Sequence, residues 1–183
     1  NNKLPEITLY NNYFGGGMSS VVFQDLRESK ALAYSAYSTY LKPNTPKRRY
    51  INYSYIGSQA DKLAEAMKGM SDLLNQMPRA EVSFNSAKEV VLQEIRSERI
   101  TKSGILFNYD EALKFGNKTD VRKEIFDRVN TMNFDEMAKF QETIIKGKPL
   151  TVLVVGKKDK IDFGILSKYG EVKELTLKDI FGY

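Results

Sequence analysis

The sequence predicts an α+β fold: an antiparallel-rich sheet with helices packed on one face. Three observations carry this. Apolar residues recur at helical spacing through most of the stretch from residue 58 to residue 145. Two stretches of strand-like alternation, 32–41 and 49–56, flank the turn Pro43-Asn44-Thr45-Pro46 and read as one long antiparallel hairpin. A short apolar run, Leu150-Thr151-Val152-Leu153-Val154-Val155, reads as a buried strand closed by Gly156. Helices set before and after a hairpin give α+β rather than a parallel α/β sheet.

The elements follow in order. Residues 4–14 read as a helix, with Pro5 where a first turn tolerates it and Ile7, Leu9 or Tyr10, and Phe14 on one face. Gly15 ends it, and Gly15-Gly16-Gly17 form a flexible loop. Residues 18–30 form a second helix opening on Ser19 or Ser20, either able to cap its first turn. From Leu32 the pattern alternates: Tyr34, Ala36, Ser38 and Tyr40 share one face, and Ala33, Ser35, Tyr37 and Thr39 the other. Gly57 breaks the return strand.

Ser58 with Asp61 three residues on is a variant capping box. The helix it opens carries Leu63, Ala66, Met67, Met70, Leu73, Leu74 and Met77 as a stripe, and Pro78 stops it. A methionine stripe can be an adaptable binding surface, but at this spacing it reads as a core face. Ser86-Ala87-Lys88-Glu89 is a second capping box, within a helix start that runs to about residue 102 with Ala87, Val90, Val91 and Ile95 inward. Ser103-Gly104 marks a bend before a helix over 105–115. Thr119 or Asp120 caps a short helix carrying Val121, Ile125 and Val129. Asn133 with Glu136 opens another that Gly147 stops. The tail reads as a short helix near 163–168 and a weak strand at 172–175. No repeat, low-complexity segment or linker divides the chain, so a single domain over 1–183 is expected.

Composition removes several function classes. The 183 residues suffice for one real core, and 42% apolar with 28% charged residues is ordinary for a globular protein. No apolar run approaches the roughly eighteen residues of a membrane helix, and no basic segment followed by an apolar one is visible at the start. The chain has no cysteine and no histidine. Disulfides, thiolate zinc sites, histidine-based triads and both HExxH and HxxEH zinc sites are therefore absent from it. Carboxylates alone could hold a hard cation, but no D-x-D-x-D-G-type loop occurs. The net charge is +5. Its clusters, Lys47-Arg48-Arg49 and Lys157-Lys158, do not make a basic face, and Tyr50, Tyr53 and Tyr55 alternate as in a sheet, so nucleic acid is not an expected partner.

Chemistry concentrates in residues 15–35, GGGMSSVVFQDLRESKALAYS. Arg27 closes the helix and Tyr34 opens the strand, seven residues apart. Both can lie at one end of this helix–strand unit beside the glycine loop, bringing together a fixed cation, a phenol and exposed backbone N–H groups. Each part also has a plain structural reading. Three glycines mark a tight turn, Arg27 suits the helix dipole, and Tyr34 suits cross-strand packing.

Phe14 to Ser35, with Leu26-Arg27-Glu28 and Leu32-Ala33-Tyr34 at matching spacing, resembles the signature of the non-catalytic half of M16 (pitrilysin/insulinase-type) zinc metallopeptidases of bacterial type. The remainder of the chain fits in element order. The glycine that this family repeats before the tyrosine is Ala33 here, which leaves Arg27 and Tyr34 in register. A second echo is Ala87-Lys88-Glu89-Val90-Val91-Leu92-Gln93-Glu94, which resembles the helix of zinc-bearing M16 domains that supplies a third ligand. Glu94 takes the ligand's place, Ala87 replaces the accompanying glutamate, and one carboxylate without histidines holds no zinc.

The resemblance implies the M16 peptidase / LuxS-like metallohydrolase half-domain fold, with N-terminal strands missing before the first helix and an unpaired sheet edge prone to self-association. It implies a partner: a zinc-bearing half, on the same chain or another, that closes with this one around a peptide substrate for proteolysis. Arg27, Tyr34, Gly15, Gly16 and Gly17 are then the expected substrate-binding residues, with Tyr34 a possible oxyanion donor in the assembled enzyme, and the cofactor is zinc in the other half. A bacterial periplasm or envelope location follows the style of the family. The alternative is a non-enzymatic structural or peptide-binding subunit of an inactive M16-like pair, which the loss of HxxEH in the partner would identify.

Overall fold

The computed structural model describes residues 3–183; Asn1 and Asn2, where the sequence opens, lie outside the described residues. Helix α1 (Leu4–Tyr10) begins with Pro5 in its first turn and runs into a π-helical turn, Asn11–Gly15. Helix α2 (Val21–Phe23) is capped by Ser20, whose Oγ accepts the Phe23 N–H, and widens into a second π-helical turn, Gln24–Ser29. Strands β1 (Ser35–Leu41) and β2 (Ile51–Gly57) pair antiparallel, from Ser35 opposite Gly57 to Leu41 opposite Ile51. A 3-10 turn, Ala60–Lys62, leads into α3 (Leu63–Asn75), and then come α4 (Glu81–Ser97), α5 (Lys102–Lys114), α6 (Val121–Thr131) and α7 (Phe134–Ile144). The tail holds a 3-10 turn, Lys158–Lys160, and two short helices, α8 (Phe163–Ser167) and α9 (Leu177–Phe181). The fold is α+β, as the sequence predicts.

The core is built around α1 and its π-helical extension, which meet α4, α6 and α7 on one side and β1 on the other. Tyr10 stacks on Phe14 with ring centroids 5.0 Å apart, and Tyr13 meets Phe84 and Phe134 edge-on. The buried Tyr13 hydroxyl donates to Pro78 O at 2.7 Å and accepts the Ala80 N–H at 3.1 Å, so its polar tip is satisfied. Burial pushes the Tyr13 phenol above its ordinary pKa. Asn11 bonds Tyr40 twice, accepting its N–H at 2.7 Å and donating to its C=O at 3.2 Å. One side-chain amide thus stands in for a strand neighbour and locks the π-helical turn to β1.

Several elements depart from the sequence reading. Residues 150–155 are extended but form no ladder, and Leu153 and Val155 are 78% and 91% exposed. An apolar run supplies a surface, whereas a strand also needs a neighbouring edge; among the described residues only β1 and β2 pair. The weak strand expected at 172–175 is absent on the same ground. Ser86 does not open a helix: α4 starts at Glu81, and the Ser86 hydroxyl donates back to Val82 O at 2.9 Å inside it. Ser58 does not cap either, since Gln59 precedes the 3-10 turn and gives no side-chain cap. Helix α4 ends at Ser97, and Ser103-Gly104 lies in the first turn of α5, where Thr101 caps through the Gly104 N–H. Asp120, and Asn133 with Glu136, cap as expected.

The molecule exposes 12685 Å² for a mass of 20.9 kDa. A compact monomer of that mass exposes about 9,000 Å². Helix α5 and residues 150–183 contain no fully buried residue.

Candidate functional site

The π-helical turn Gln24–Ser29 is anchored by Leu26, which is fully buried, so the flanking Arg27 is carried outward at the end of the helix. The turn closes with the Lys30 N–H on Asp25 O at 3.0 Å, and the Leu32 N–H then reaches back to Leu26 O at 2.8 Å. Between those two bonds Ala31 adopts φ +49, the only left-handed non-glycine among the described residues. The chain thereby reverses within one residue. The Tyr34 N–H donates to Gly57 O at 2.9 Å, pinning the start of the hairpin's first arm to the end of its second.

The reversal brings Arg27 and Tyr34 together. The Arg27 guanidinium carbon lies 5.3 Å from the centre of the Tyr34 ring and 4.7 Å from that of Phe23, within cation–π range of both. Glu28 Oε1 approaches Arg27 Nε at 3.6 Å. Tyr34 itself is 84% exposed. Beside this cluster opens a cavity of about 490 Å³, lined among others by Arg27, Glu28, Ala31, Tyr34, Gln59 and Lys62. Two cations and one carboxylate give it a net positive character. Two faces of aromatic carbon hold the guanidinium, and with Nε turned toward Glu28 its terminal N–H groups remain as donors for an incoming group.

The glycines are placed differently. Gly15, Gly16 and Gly17 do not line the cavity. Gly15 is buried, and a Cβ there would sit 1.8 Å from Ser38 O of β1. Gly17 is exposed at φ +86 with open space around it. Glu94 lies exposed on α4, and among the described residues no group of three or more acidic, histidine or cysteine residues could hold a metal ion.

Sequence reading did not single out Phe23 or Lys62. Phe23 was legible in principle, because it stands four residues before Arg27 on one helix face. Lys62 carried no local signal. Its Nζ donates to Ala31 O at 2.8 Å across 31 residues of sequence.

Residues 4–95 match the family described as the peptidase M16 inactive domain. That span runs from α1 through most of α4 and contains Gly15 to Gly17, Arg27, Tyr34 and Lys62. Over 139 residues the chain is 28% identical to the uncharacterized zinc protease YmxG of Bacillus subtilis (strain 168), covering 74% of this chain and 33% of that protein. Its fold is similar to the crystal structure of the peptidase M16 inactive domain from Pseudomonas fluorescens, with a TM-score of 0.60 at 14% identity over 78% of this chain and 34% of that one. The chain therefore spans about a third of the length of these two relatives.

Proposed function

The chain belongs to the peptidase M16 inactive-domain family, and on that premise we propose that it is the substrate-holding, non-catalytic part of a zinc peptidase, completed by a zinc-bearing half. The observation that carries this reading is the Arg27 guanidinium set against the Tyr34 ring at the edge of the 490 Å³ cavity. An extended peptide presents a row of carbonyl oxygens. A fixed guanidinium offers several donors to such a row, and a phenol can donate to the carbonyl whose oxygen gains charge as water attacks. The chain has no histidine and no cysteine, and among the described residues no cluster of carboxylates could take their place as metal ligands. In this reading the metal and the water it activates belong wholly to the other half, and Arg27 and Tyr34 grip and orient the peptide.

The test is complementation. The chain alone is expected to bind no stoichiometric zinc and to cleave no peptide. Mixed with a zinc-bearing M16 half, or joined to it on one polypeptide, it should raise hydrolysis of a fluorogenic peptide well above that of the zinc half alone. Hydrolysis unchanged by its addition would overturn the reading in favour of a structural role.

The exposed apolar strip fits the same reading. Leu153 and Val155 lie open on an unpaired extended segment, and such surfaces associate. In sedimentation velocity the isolated chain should shift from monomer to larger species as concentration rises. The double variant Leu153→Lys, Val155→Lys should remain monomeric over the same range. Equal association by both proteins would place the contact elsewhere.

A further inference from the structure

The arginine–tyrosine cluster depends on one strained residue. Arg27 and Tyr34 meet across the reversal at Ala31, which uses a left-handed backbone that an alanine resists. The carbonyl of this residue is the one that Lys62 Nζ reaches, at 2.8 Å. Lys62 stands at the end of the 3-10 turn that follows β2, and Tyr34 is pinned to the same stretch through Gly57 O. It also lines the cavity. We propose that Lys62 is a positioning residue for the peptide site. Its ammonium holds the Ala31 carbonyl in place and thereby keeps Arg27 against Tyr34 before any peptide arrives.

A charged donor to a carbonyl is stronger than a neutral one, and this one closes on the residue at which the chain turns between Arg27 and Tyr34. Without it, the left-handed turn is held by the Leu32–Leu26 backbone bond alone, against an intrinsic preference of alanine of about tenfold. Arg27 would then lose the Tyr34 ring, while remaining on its helix beside Phe23. Glycine carries no such penalty at positive φ. A glycine at residue 31 should therefore make the tether unnecessary.

This inference rests on the peptide-holding reading for its kinetic consequence but not for its structural one. The structural arm follows the Arg27 Nε–H resonance by NMR at low protein concentration, assigned by its loss in Arg27→Ala. Ring currents of Phe23 and Tyr34 should displace it from the position of exposed arginines. In Lys62→Met it should move back toward that position with circular dichroism unchanged, and in Lys62→Met, Ala31→Gly it should return. The kinetic arm uses the assembled peptidase. Lys62→Met should raise KM by up to about tenfold with kcat preserved, because bound peptide restores the competent turn, and the added Ala31→Gly should bring KM back. A merely structural lysine would instead lower the active fraction and so kcat. An unmoved Arg27 resonance in Lys62→Met, or a failure of Ala31→Gly to restore it, overturns the proposal. A resonance that moves and recovers supports the tether even if Arg27→Ala is kinetically silent, an outcome that would sink the peptide-holding reading alone.

Discussion

Replacing Gly15 by alanine is expected to cost about 3 kcal/mol or more, a large share of the roughly 5–15 kcal/mol that holds a domain of ordinary stability. A Cβ at this residue would stand 1.8 Å from Ser38 O, 2.5 Å from Ser38 C and 2.7 Å from Ser38 N. All three are backbone atoms of β1, so no side-chain rotation relieves the overlap. The strand or the π-helical turn must shift, and Asn11, four residues earlier, ties that turn to Tyr40 of the same strand through two hydrogen bonds. A shift that makes room for the methyl would stretch those bonds and disturb Tyr13 and Phe14, which are fully buried beside it. In a chain of this length such a loss corresponds to a melting temperature lower by about 6–12 °C. Gly17→Ala provides the contrast. Its Cβ meets nothing within 4 Å, and only the left-handed φ of +86 penalises it, by about 1 kcal/mol. Urea titrations of the two variants check the ranking. Equal, small losses would mean that β1 does not approach Gly15 this closely.

The same residues show how far a sequence can be read. Three successive glycines announce a place where side chains are not tolerated, but not which of two reasons applies. Gly15 is there because a strand passes over it, and Gly17 because its backbone turns left-handed. Some caps were legible because they are local: Ser20, Asp120 and the reciprocal pair Asn133 and Glu136 each satisfy N–H groups within three residues, whereas Ser58 and Ser86 carry the same spacing and cap nothing. The hairpin was legible because Pro43 to Pro46 forces a reversal between two alternating stretches, although the strands begin two or three residues later than the alternation does. Residues 150–155 show the opposite case. Their apolar run and β-branched residues are those of a buried strand, yet β-structure is a property of pairs, and among the described residues no strand pairs with them.

The site was legible to a similar degree. The spacing of Arg27 and Tyr34 across a helix end and a strand start allows them to meet. What makes them meet is a left-handed alanine and a lysine 31 residues further on, and no periodicity encodes that contact. The two π-helical turns are equally silent in sequence. They re-aim side chains by part of a turn without any change in composition, as such bulges commonly do near functional sites.

Arg27 and Tyr34 are expected to matter for turnover and hardly at all for folding. Tyr34 is 84% exposed, so Tyr34→Phe removes one hydroxyl from the surface and should change stability by no more than about 0.5 kcal/mol. The phenyl ring still offers Arg27 its π face, so the guanidinium keeps its place at about the present 5.3 Å. The variant therefore isolates the hydroxyl. If that hydroxyl donates to the oxygen on which charge develops, kcat in the assembled peptidase should fall by about 10²–10³ with KM little changed. If it only steadies the bound peptide, KM rises and kcat stays. Arg27→Ala removes donors that meet the peptide in the ground state as well as the transition state, so it should raise KM and lower kcat/KM together. Tyr34→Ala should combine both effects, because it removes the hydroxyl and also the ring that holds the guanidinium. An Arg27→Ala, Tyr34→Ala double variant that loses less in kcat/KM than the product of the two single losses is the kinetic mark of a cluster that works as one unit. A Tyr34→Phe enzyme with unaltered kinetics and a clearly lower melting temperature would show instead that the hydroxyl serves the fold, and the assignment of this pair to peptide holding would fall.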